Sequence, residues 1–547
     1  MIKKIFSRKI DSITIAATLV AFSSLLSRFL GIFRDRILAS EFGAGDFLDV
    51  YYAAFRVPDL VFNLLVLGAL SAGFVPIFVG LIKDSKCLGF GRLKRERNKE
   101  AWILVNNILN ILVFLLLLIS VFGVFFAPAL VKLVAPGFSP EKQQLTAELT
   151  RIMFLSPIFL GISSVLGGIL QSFKRFFVYS LAPIMYNIGI ILGALCFVPV
   201  LGIHGLAWGV ILGAFLHMLV QLPLAYSLGF RYQVIVDFKD KNVRKIARMM
   251  LPRTLTLGIS QLNLLVITVL ASGLVGGSLA VFNFANNLQA FPVGVFGISF
   301  AIAAFPTMSK LASSRDKLIK SFSSTFRKIL FFIVPATVLL ITLRAQIVRV
   351  ILGAGEFTWL DTVLTMNTLG FFAIGLFAQA TIPLMIRVFY AKQDSKTPFF
   401  IGLVAAVCNF VSAWYFSRIL GVAGLALGFS IAQIVNFILL WLTLHINLGG
   451  MDENKILSST FKFSVAAIAC GAAVQLTKVA IWPLIDMTKF WGVFSQGLFA
   501  GLSGILVYII VCLALRSEEM LSIWNSLSKR LPWKKVDTGD QGEARGI

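Results

Sequence analysis

The chain has 547 residues, of which 58% are hydrophobic and 14% charged, and its mean hydropathy is +0.90. Soluble domains are roughly 45–50% apolar, so a soluble core has no room for this much apolar surface. The net charge is +24, yet no nucleic-acid-binding motif is present. Such a charge is typical of membrane proteins whose cytoplasmic loops face anionic lipid. The composition therefore predicts an integral membrane protein that binds no nucleic acid and has no large soluble domain.

The N-terminus carries basic residues followed by a long apolar run. Four cations lie between residues 3 and 9, before an apolar stretch that starts at Ile13. Cleaved signal peptides share this pattern, but here the stretch continues through residues 27–31 without a small-residue cleavage pattern. We expect a signal anchor that is retained as the first transmembrane helix.

Apolar stretches of about 20 residues, the length that spans a bilayer as a helix, recur about fourteen times. They lie at residues 13–38, 59–82, 102–127, 149–171, 179–200, 203–225, 251–273, 280–305, 329–343, 363–386, 398–416, 422–445, 463–481 and 492–515. The sequence therefore predicts an all-α polytopic membrane protein with about fourteen transmembrane helices.

Basic residues are concentrated in alternate loops between these stretches. If the N-terminus is inside, the cytoplasmic loops include the basic segments 83–99, 231–253 and 310–328. The outward loops at 39–50 and 272–279 contain no Lys or Arg. Because cytoplasmic loops carry the excess of positive charge, we predict that both termini are cytoplasmic.

A glycine-rich motif occurs twice. Residues 202–209 (GIHGLAWG) recur as residues 421–428 (GVAGLALG), at the start of the sixth and twelfth predicted spans. An offset of six spans preserves direction, which is typical of parallel repeats. We predict two pseudo-symmetric six-helix lobes and a C-terminal helix pair, with boundaries at 1–225, 226–445 and 446–515, followed by a cytoplasmic tail at 516–547.

Residues that carry covalent or metal chemistry are scattered. The five cysteines form no CxxC pattern, and the three histidines lie on separate helices or helix ends without companion carboxylates. These residues are Cys87, Cys196, Cys408, Cys470 and Cys512, and His204, His217 and His445. We find no nucleophile–base pair and no phosphate-binding loop, so the sequence predicts no metal, no cofactor and no enzyme.

Ionisable residues inside the predicted spans are concentrated near the start of the chain. At bilayer depth such residues normally face a wet cavity or a charged partner. They are Arg28, Arg34, Asp35 and Arg36 in the first span, and Asp49, Arg56 and Asp59 at or before the entry to the second. At about 100° per residue, Arg28 and Asp35 share a helix face and Arg34 points elsewhere. We therefore expect Asp35 to hold one arginine while another stays free.

Arginine suits a phosphate or pyrophosphate substrate, because its fork donates two hydrogen bonds and it keeps its charge. We predict a cavity role for Arg28 and Arg34, leave Arg56 open, and place Arg36 at the interface as a snorkelling residue. Four prolines in or beside the second and eighth spans either permit bending between two open states or mark ordinary kinks. They are Pro58, Pro76, Pro292 and Pro306.

Short motifs occur in order along most of the chain. They are SRFLG (27–31) followed by Arg34-Asp35; FGAG (42–45) with Asp49; AFRVP (54–58); GALS to FVP (68–76); APGF (135–138); GEFT (355–358); and FYAKQDSKTP (389–398). In these motifs the sequence resembles the MurJ/MviN family, the lipid II flippases of the multidrug/oligosaccharidyl-lipid/polysaccharide exporter superfamily.

The resemblance implies two six-helix lobes in a V, a central cationic cavity for the pyrophosphate and sugar-peptide headgroup, and a groove along the last two helices for the polyprenyl tail. It also implies alternating access across the bacterial cytoplasmic membrane. The implied partners are lipid II, membrane lipids and cell-wall synthesis proteins. By motif position, the implied headgroup residues are Arg28, Arg34, Asp49 and Arg56.

The chain departs from the family pattern inside the implied cavity. Phe62 or Asn63 stands where much of the family has arginine, and Leu67 where glutamate is usual. Asn286-Asn287 replaces an Asp-Arg pair, and Ala290 replaces a glutamate. Cations and anions are lost together, so we interpret the chain as a divergent flippase rather than one with an altered headgroup. The expected transport residues are Arg28, Arg34, Asp35, Asp49, Arg56, Asn63, Asn286, Asn287 and Gln289.

Other functions remain open from the sequence. The transporter alternative is export of another lipid-linked oligosaccharide or of an amphiphilic drug. A membrane glycosyltransferase should show clustered Asp, Glu or His residues in loops or spans. A scaffold for wall-synthesis proteins would keep its function when cavity residues are changed.

Overall fold

The computed structural model describes residues 13–67, 73–87 and 92–521. The basic residues before Ile13, the motif residues 68–72 and most of the predicted cytoplasmic tail lie outside these ranges. Within them the secondary structure is helical, without a strand. The helices are α1 (Ile13–Phe42), α2 (Asp46–Phe62), α3 (Val75–Cys87), α4 (Arg92–Val134), α5 (Pro140–Met153), α6 (Ser156–Ser172), α7 (Phe176–Leu192), α8 (Val198–Leu201), α9 (His204–Leu219), α10 (Leu222–Ser227), α11 (Lys241–Ser272), α12 (Ser278–Pro292), α13 (Ser299–Lys310), α14 (Arg315–Thr342), α15 (Arg344–Leu352), α16 (Trp359–Ile374), α17 (Leu376–Ala391), α18 (Lys396–Leu420), α19 (Val422–Leu448), α20 (Glu453–Ile481) and α21 (Phe490–Ala514).

Ten of the predicted spans coincide with helices long and apolar enough to cross a membrane, among the residues that the structure describes. The pair α16 and α17, bent by 45° at Gly375, makes an eleventh if it is counted as one span. The other three predicted spans fall on α1, on α2 with α3, and on α11. The prediction of an all-helical polytopic membrane protein is confirmed.

Polar residues mark the starts of several helices. Asp240 accepts from the backbone N–H groups of Asn242 and Val243 over 2.8 and 2.9 Å, which caps α11. Thr358 and Asp361 bond each other's backbone N–H groups over 3.2 and 2.9 Å, which forms a capping box at α16. Each cap satisfies N–H groups that a helix leaves without an internal partner.

Two of the predicted proline sites coincide with breaks in helical hydrogen bonding. Pro58 lies inside α2, which passes into a π-helical segment at Asn63–Leu67. Pro292 ends α12 and is followed directly by a π-helical segment at Val293–Ile298. Proline lacks the N–H that would bond the preceding turn, so irregular backbone at these points has a local cause.

The structure divides into two compact units. The first comprises Met1–Phe291, Ile347–Gly375 and Ser395–Leu439. In it α1 and α9 pack against α7, α2 packs against α5, and α11 packs against α18. An aromatic cluster surrounds Trp102 on α4. Its other members are Phe78, Phe173 and Phe230.

The second unit comprises Pro292–Gln346, Leu376–Asp394 and Leu440–Ile547. Here α14 packs against α17, α20 and α21, and α20 packs along α21. The Tyr508 hydroxyl on α21 donates to the Phe331 carbonyl on α14 over 2.8 Å. Arg327 on α14 bonds Glu519 and, over 3.0 Å, Glu518. The predicted C-terminal helix pair is thus one bundle with α14, whereas the proposed lobe boundaries stay a prediction.

The two copies of the glycine motif have the same local structure. Gly202 and Gly421 each end the preceding helix. Their φ angles are +58° and +59°, in the left-handed region that favours glycine. Seven residues later, a Cβ on Gly209 would lie 2.6 Å from Gly193, and one on Gly428 would lie 2.5 Å from Ala413. Both motifs therefore turn the chain and then let the new helix pack closely on the one before it.

An extended linker, residues 228–240, is fastened to α4 by three asparagines. The Asn106 side chain donates to the Arg231 carbonyl over 3.0 Å and accepts from Gln233 N–H over 2.9 Å. Asn107 makes the same pair of bonds with the Asp237 backbone, over 2.9 and 2.7 Å. Asn110 donates to the carbonyls of residues 233 and 235. These amides replace the neighbouring strand that an extended backbone otherwise needs.

Candidate functional site

Arg34 and Asp35 on α1 form an ion pair. Arg34 Nε and Nη2 donate to Asp35 Oδ1 over 3.1 and 2.8 Å. Its Nη1 donates to the side-chain oxygen of Asn187 on α7 over 3.2 Å. Arg28 and Asp35 both contact α12, at Ala290 and Asn287, as residues on one helix face should. The arginine that Asp35 holds is Arg34, because a long guanidinium side chain reaches back to its neighbour in sequence.

The second oxygen of Asp35 connects α1 with α12. Asn287 donates from Nδ2 to Asp35 Oδ2 over 2.8 Å, and the Asp35 residue is only 3% exposed. Of the other two predicted amides, Gln289 donates to Asn286 Oδ1 over 3.1 Å. Within the described residues, Gln289 Oε1 is buried without a hydrogen-bond partner. With Arg34 bonded to Oδ1 and Asn287 to Oδ2, both carboxylate oxygens of Asp35 accept hydrogen bonds.

Arg28 has more free donor capacity. Its Nη1 donates to the Ala290 carbonyl on α12 over 3.3 Å, and the side chain is half-buried at the wall of a cavity. A guanidinium has five N–H groups, so this single bond to a neutral acceptor leaves most of them for a ligand. Arg28 is the arginine of the cluster with the fewest bonds to protein among the described residues.

Arg56 on α2 is held by two neutral groups. Its Nε donates to Thr268 Oγ1 over 2.9 Å, and its Nη2 donates to Asn283 Oδ1 over 3.0 Å. Neither contact neutralises its charge, which keeps it attractive to an anion. Sequence reasoning missed Thr268 and Asn283. The available signal was two polar residues within largely apolar stretches of sequence.

Asp49 caps a helix from another part of the chain. Its two oxygens accept from the backbone N–H groups of Gly277 and Ala280, at the start of α12, over 2.7 and 2.9 Å. Lys142 Nζ lies 3.6 Å from Asp49 and 2.8 Å from Asp46. A carboxylate at a helix N-terminus is favoured by the unpaired N–H groups and by the helix dipole. These contacts support a role in fixing α2 to α12.

The remaining predicted residues near this site have local partners. Arg36 donates to the carbonyls of Val350 and Ile351 over 2.5 and 3.1 Å, at the C-terminal end of α15. Asn63 donates to the Asp59 carbonyl one turn earlier over 2.8 Å. Of the two candidates for the missing arginine position, Phe62 is the one that lines a cavity.

That cavity lies inside the first unit and has a volume of about 680 Å³. Its walls come from α1, α2, α3, α6, α7 and α9 and from the π-helical segment after α2. Arg28 and Phe62 lie in its wall together with hydroxyl and amide side chains, and none of the described residues that line it is a carboxylate. Its size is in the range of small-molecule sites, which are about 300–1,000 Å³.

Two histidines have carboxylate partners, which corrects the prediction that they stand alone. His204 Nε2 lies 3.2 Å from Glu148 Oε2, and His445 Nδ1 lies 2.7 Å from Glu453 Oε1. Neither pair lines the cavity. Among the described residues no group of three or more His, Cys, Asp or Glu is placed to hold a metal ion.

The profile of the family "Lipid II flippase MurJ" matches residues 38–495. A curated relative from Buchnera aphidicola subsp. Acyrthosiphon pisum, a probable lipid II flippase MurJ, is 30% identical over 487 residues, which cover 87% of this chain and 90% of the relative. The chain belongs to the lipid II flippase MurJ family. It is therefore a multi-pass membrane transporter of a bacterial flippase family, and not an enzyme.

Further comparisons agree with this family. The probable MurJ of Vibrio cholerae is 30% identical over 512 residues, covering 91% of this chain and 95% of the relative. A solved lipid II flippase MurJ in an inward closed conformation has a TM-score of 0.74 at 24% identity, covering 94% of this chain and 100% of that chain. A multidrug transporter of the MATE family has a TM-score of 0.65 at 18% identity, covering 79% of this chain and 98% of that chain. These two likenesses show a fold common to MurJ and MATE transporters.

Proposed function

We propose that this MurJ-family protein moves lipid II, the undecaprenyl-pyrophosphate-linked peptidoglycan precursor, from the inner to the outer leaflet of the bacterial cytoplasmic membrane. The observation that carries the proposal is Arg28, a guanidinium at a cavity wall whose one hydrogen bond to the described residues goes to a neutral carbonyl. A pyrophosphate offers such a group bidentate acceptors and a compensating charge. Family membership supports lipid II as the molecule that carries the pyrophosphate.

The predicted site residues divide into two roles in this proposal. Arg28 and Arg56 contact the pyrophosphate, because their present partners are neutral. Arg34, Asp35 and Asn287 form a network that fixes α1 against α7 and α12. This division explains how the chain functions with fewer cavity charges. Among the described residues, neither Arg28 nor Arg56 has a carboxylate at hydrogen-bond distance.

Alternating access is the mechanism that we propose, with both termini cytoplasmic. In that orientation the loops at 42–46, 272–280 and 353–361 face outward. They are joined by the bonds of Asp49 to α12 and by Ala44 N–H to Asp361 over 3.4 Å. Glu356 N–H also donates to the Ser40 carbonyl over 2.9 Å. These bonds would hold the outward side shut, and transport would require them to break.

The remaining expectations complete the proposal. Residues 1–225 and 226–445 form the two lobes, and residues 446–515 provide the groove for the polyprenyl tail. Cell-wall synthesis proteins and membrane lipids are further partners. A reporter that is active only in the cytoplasm, fused to the C-terminus, is expected to be active. Inactivity of a well-expressed fusion would overturn the proposed orientation.

Complementation of a flippase-depleted bacterium tests the function. We expect the wild-type chain to support growth and to bind lipid II when purified. Arg28→Ala should abolish growth support and weaken lipid II binding about tenfold or more, because a charge-assisted hydrogen bond is worth roughly 1.5–3 kcal/mol. Arg418→Ala is the matched control, since Arg418 lies exposed against the Trp414 ring on α18. Failure of well-expressed wild-type protein in both assays would refute the proposed function.

A further inference from the structure

The linker at residues 228–240 carries a stripe of exposed apolar side chains. Along its extended part every second residue is apolar and exposed, so these side chains lie on one face of the backbone. They are Tyr232, Val234 and Val236, of which Val234 is 81% exposed, and the exposed Phe238 follows in the next turn. A continuous apolar surface of this kind is normally covered by a protein partner or by membrane.

The linker is fastened to the membrane-spanning part of α4. That span begins at Lys99. The asparagines that bond the linker lie about 10–16 Å farther along the helix. They are Asn106, Asn107 and Asn110. The headgroup region on each side of a bilayer is only about 5–8 Å thick. The fastened part of the linker therefore lies near the boundary between headgroups and acyl chains.

The backbone bonds of the linker fit this boundary. Six hydrogen bonds join the three asparagines to its backbone on the side facing α4. Among the described residues, the backbone groups of Val234 and Val236 have no partner. The hydrocarbon core offers such groups no hydrogen bond, whereas the interface supplies water and headgroup oxygens. The linker is thus suited to the interface and not to the bilayer core.

Aromatic side chains mark the same level at the start of the linker. The ring centroid of Trp102 on α4 lies 6.2 Å from those of Phe173 and Phe230. The Arg231 guanidinium lies 5.7 Å from the centre of the Tyr226 ring. Tryptophan and tyrosine are enriched where a membrane meets water. These residues therefore agree with an interfacial position for the linker.

Exposed cations surround the apolar stripe. Residues 231–248 contain six exposed Lys or Arg side chains and two carboxylates, both of which accept bonds from backbone N–H groups. Among the described residues none of the six cations forms an ion pair with a carboxylate. They are Arg231, Lys239, Lys241, Arg244, Lys245 and Arg248.

The stability of α11 does not explain these cations. Three of them, Lys241, Arg244 and Lys245, lie in its first two turns, and its first turn contains no acidic residue. The helix dipole disfavours cations at this end. Anionic lipid headgroups attract cations close to the membrane surface, so their charge complements this cluster.

We propose that the linker is an anchor in the cytoplasmic leaflet. Tyr232, Val234 and Val236 lie among the acyl chains next to the headgroups, and the surrounding cations bind anionic phospholipid headgroups. Interfacial segments bind membranes through both contributions, apolar insertion and attraction to anionic lipid. The proposed orientation decides which leaflet holds the anchor, whereas the transported substrate plays no part. Failure of lipid II transport would therefore leave the anchor unaffected.

Melting temperatures of the full chain in nanodiscs test the headgroup contacts. The two lipid compositions are phosphatidylcholine alone and an equal mixture with phosphatidylglycerol, which is anionic. We expect the wild type to melt at a higher temperature in the mixture. The variant Lys239→Gln/Lys241→Gln/Lys245→Gln should lose at least half of this gain. Its melting temperature in phosphatidylcholine should equal that of the wild type, which shows that it is folded.

The matched control removes three exposed lysines from another basic segment, in the variant Lys310→Gln/Lys317→Gln/Lys320→Gln. It should keep the full gain in the anionic mixture. A wild type that melts at the same temperature in both lipid compositions would overturn headgroup binding. An equal loss of the gain in both triple variants would show that the effect follows net charge, and would overturn its assignment to the linker.

A photoreactive benzoylphenylalanine in place of Val234 tests the apolar contact in native membranes. We expect adducts with phospholipid, detected by mass spectrometry. The same group in place of Asp316, an exposed residue of the basic segment 310–328, should give none. Adducts of position 234 with another protein would identify the stripe as a docking surface for that protein and overturn the anchor. An absence of adducts at position 234 would show that the stripe faces water, which also overturns it.

Discussion

Asn287 donates a hydrogen bond from Nδ2 to Asp35 Oδ2 over 2.8 Å, which joins α12 to α1. The other oxygen of Asp35 accepts from Arg34, so one buried carboxylate organises an arginine and an amide from different helices. Asn287 supplies a donor without adding a charge. The chain therefore satisfies Asp35 with one cation and one amide.

Replacement of Asn287 should reveal this dependence. Asn287→Ala removes one donor and should lower the free energy of unfolding by about 1–3 kcal/mol. Asn287→Asp places a second carboxylate against Asp35 and should prevent accumulation of folded protein, because like charges in a low-dielectric interior repel strongly. Thermal unfolding and yield of the purified variants measure both effects. Equal stability of the two variants would contradict the assigned bond.

Asp49 should stabilise the junction of α2 and α12. Asp49→Ala removes acceptors from the N–H groups of Gly277 and Ala280 and should reduce the melting temperature, with a loss of about 1–3 kcal/mol. Asp49→Asn keeps one side-chain oxygen and should lose less. Thermal unfolding of both purified variants is the measurement. A melting temperature of Asp49→Ala equal to that of the wild type would show that the cap contributes nothing.

Gly277 should tolerate no side chain. Its φ is +87°, and a Cβ there would lie 1.8 Å from the Ala44 carbonyl oxygen. Gly202 is the matched control, because its φ is +58° but a Cβ would meet no atom within 4 Å. Both Ala variants strain the backbone, so the excess destabilisation of Gly277→Ala over Gly202→Ala measures the loop contact. Equal melting temperatures would exclude close contact between these loops.

The asparagines on α4 should slow the exchange of backbone amide hydrogens in the linker with solvent. Asn107→Leu removes both bonds to the Asp237 backbone and should accelerate amide exchange across residues 231–237. Asn110→Leu removes two side-chain donors but no acceptor of a linker N–H, so it should have a smaller effect. Hydrogen–deuterium exchange followed by mass spectrometry gives the comparison. Unchanged exchange in Asn107→Leu would mean that the linker is held by other contacts.

The fold followed from the sequence where local rules decide the structure. Hydropathy located the helices, and both copies of the glycine motif lie at helix starts, as the sequence predicted. Pro292 marked a real break in backbone hydrogen bonding.

The partners of the charged residues did not follow from the sequence. A helical wheel gives the direction of each Cβ, but the Arg34 guanidinium lies several bonds farther out and folds onto Asp35. Thr268 and Asn283 are 212 and 227 residues from Arg56 in sequence, so only the tertiary fold brings them together. The partner of His204 comes from another helix in the same way. The sequence shows three asparagines close together in an apolar stretch, Asn106, Asn107 and Asn110. It does not show which segment of the chain their side chains bind.

The long sequence separation of the α1 contacts has a consequence for biogenesis. Arg34 and Asp35 neutralise each other as soon as α1 is made, but the contacts of Arg28 and of the second Asp35 oxygen lie 262 and 252 residues later. At about 5–20 residues per second, translation reaches α12 on the order of 10–50 s after α1. A charge at bilayer depth costs about 2.5–3.5 kcal/mol on insertion scales. The nascent chain therefore holds α1 in the membrane without these partners until α12 emerges, and this interval is when membrane insertases and proteases would have access to it.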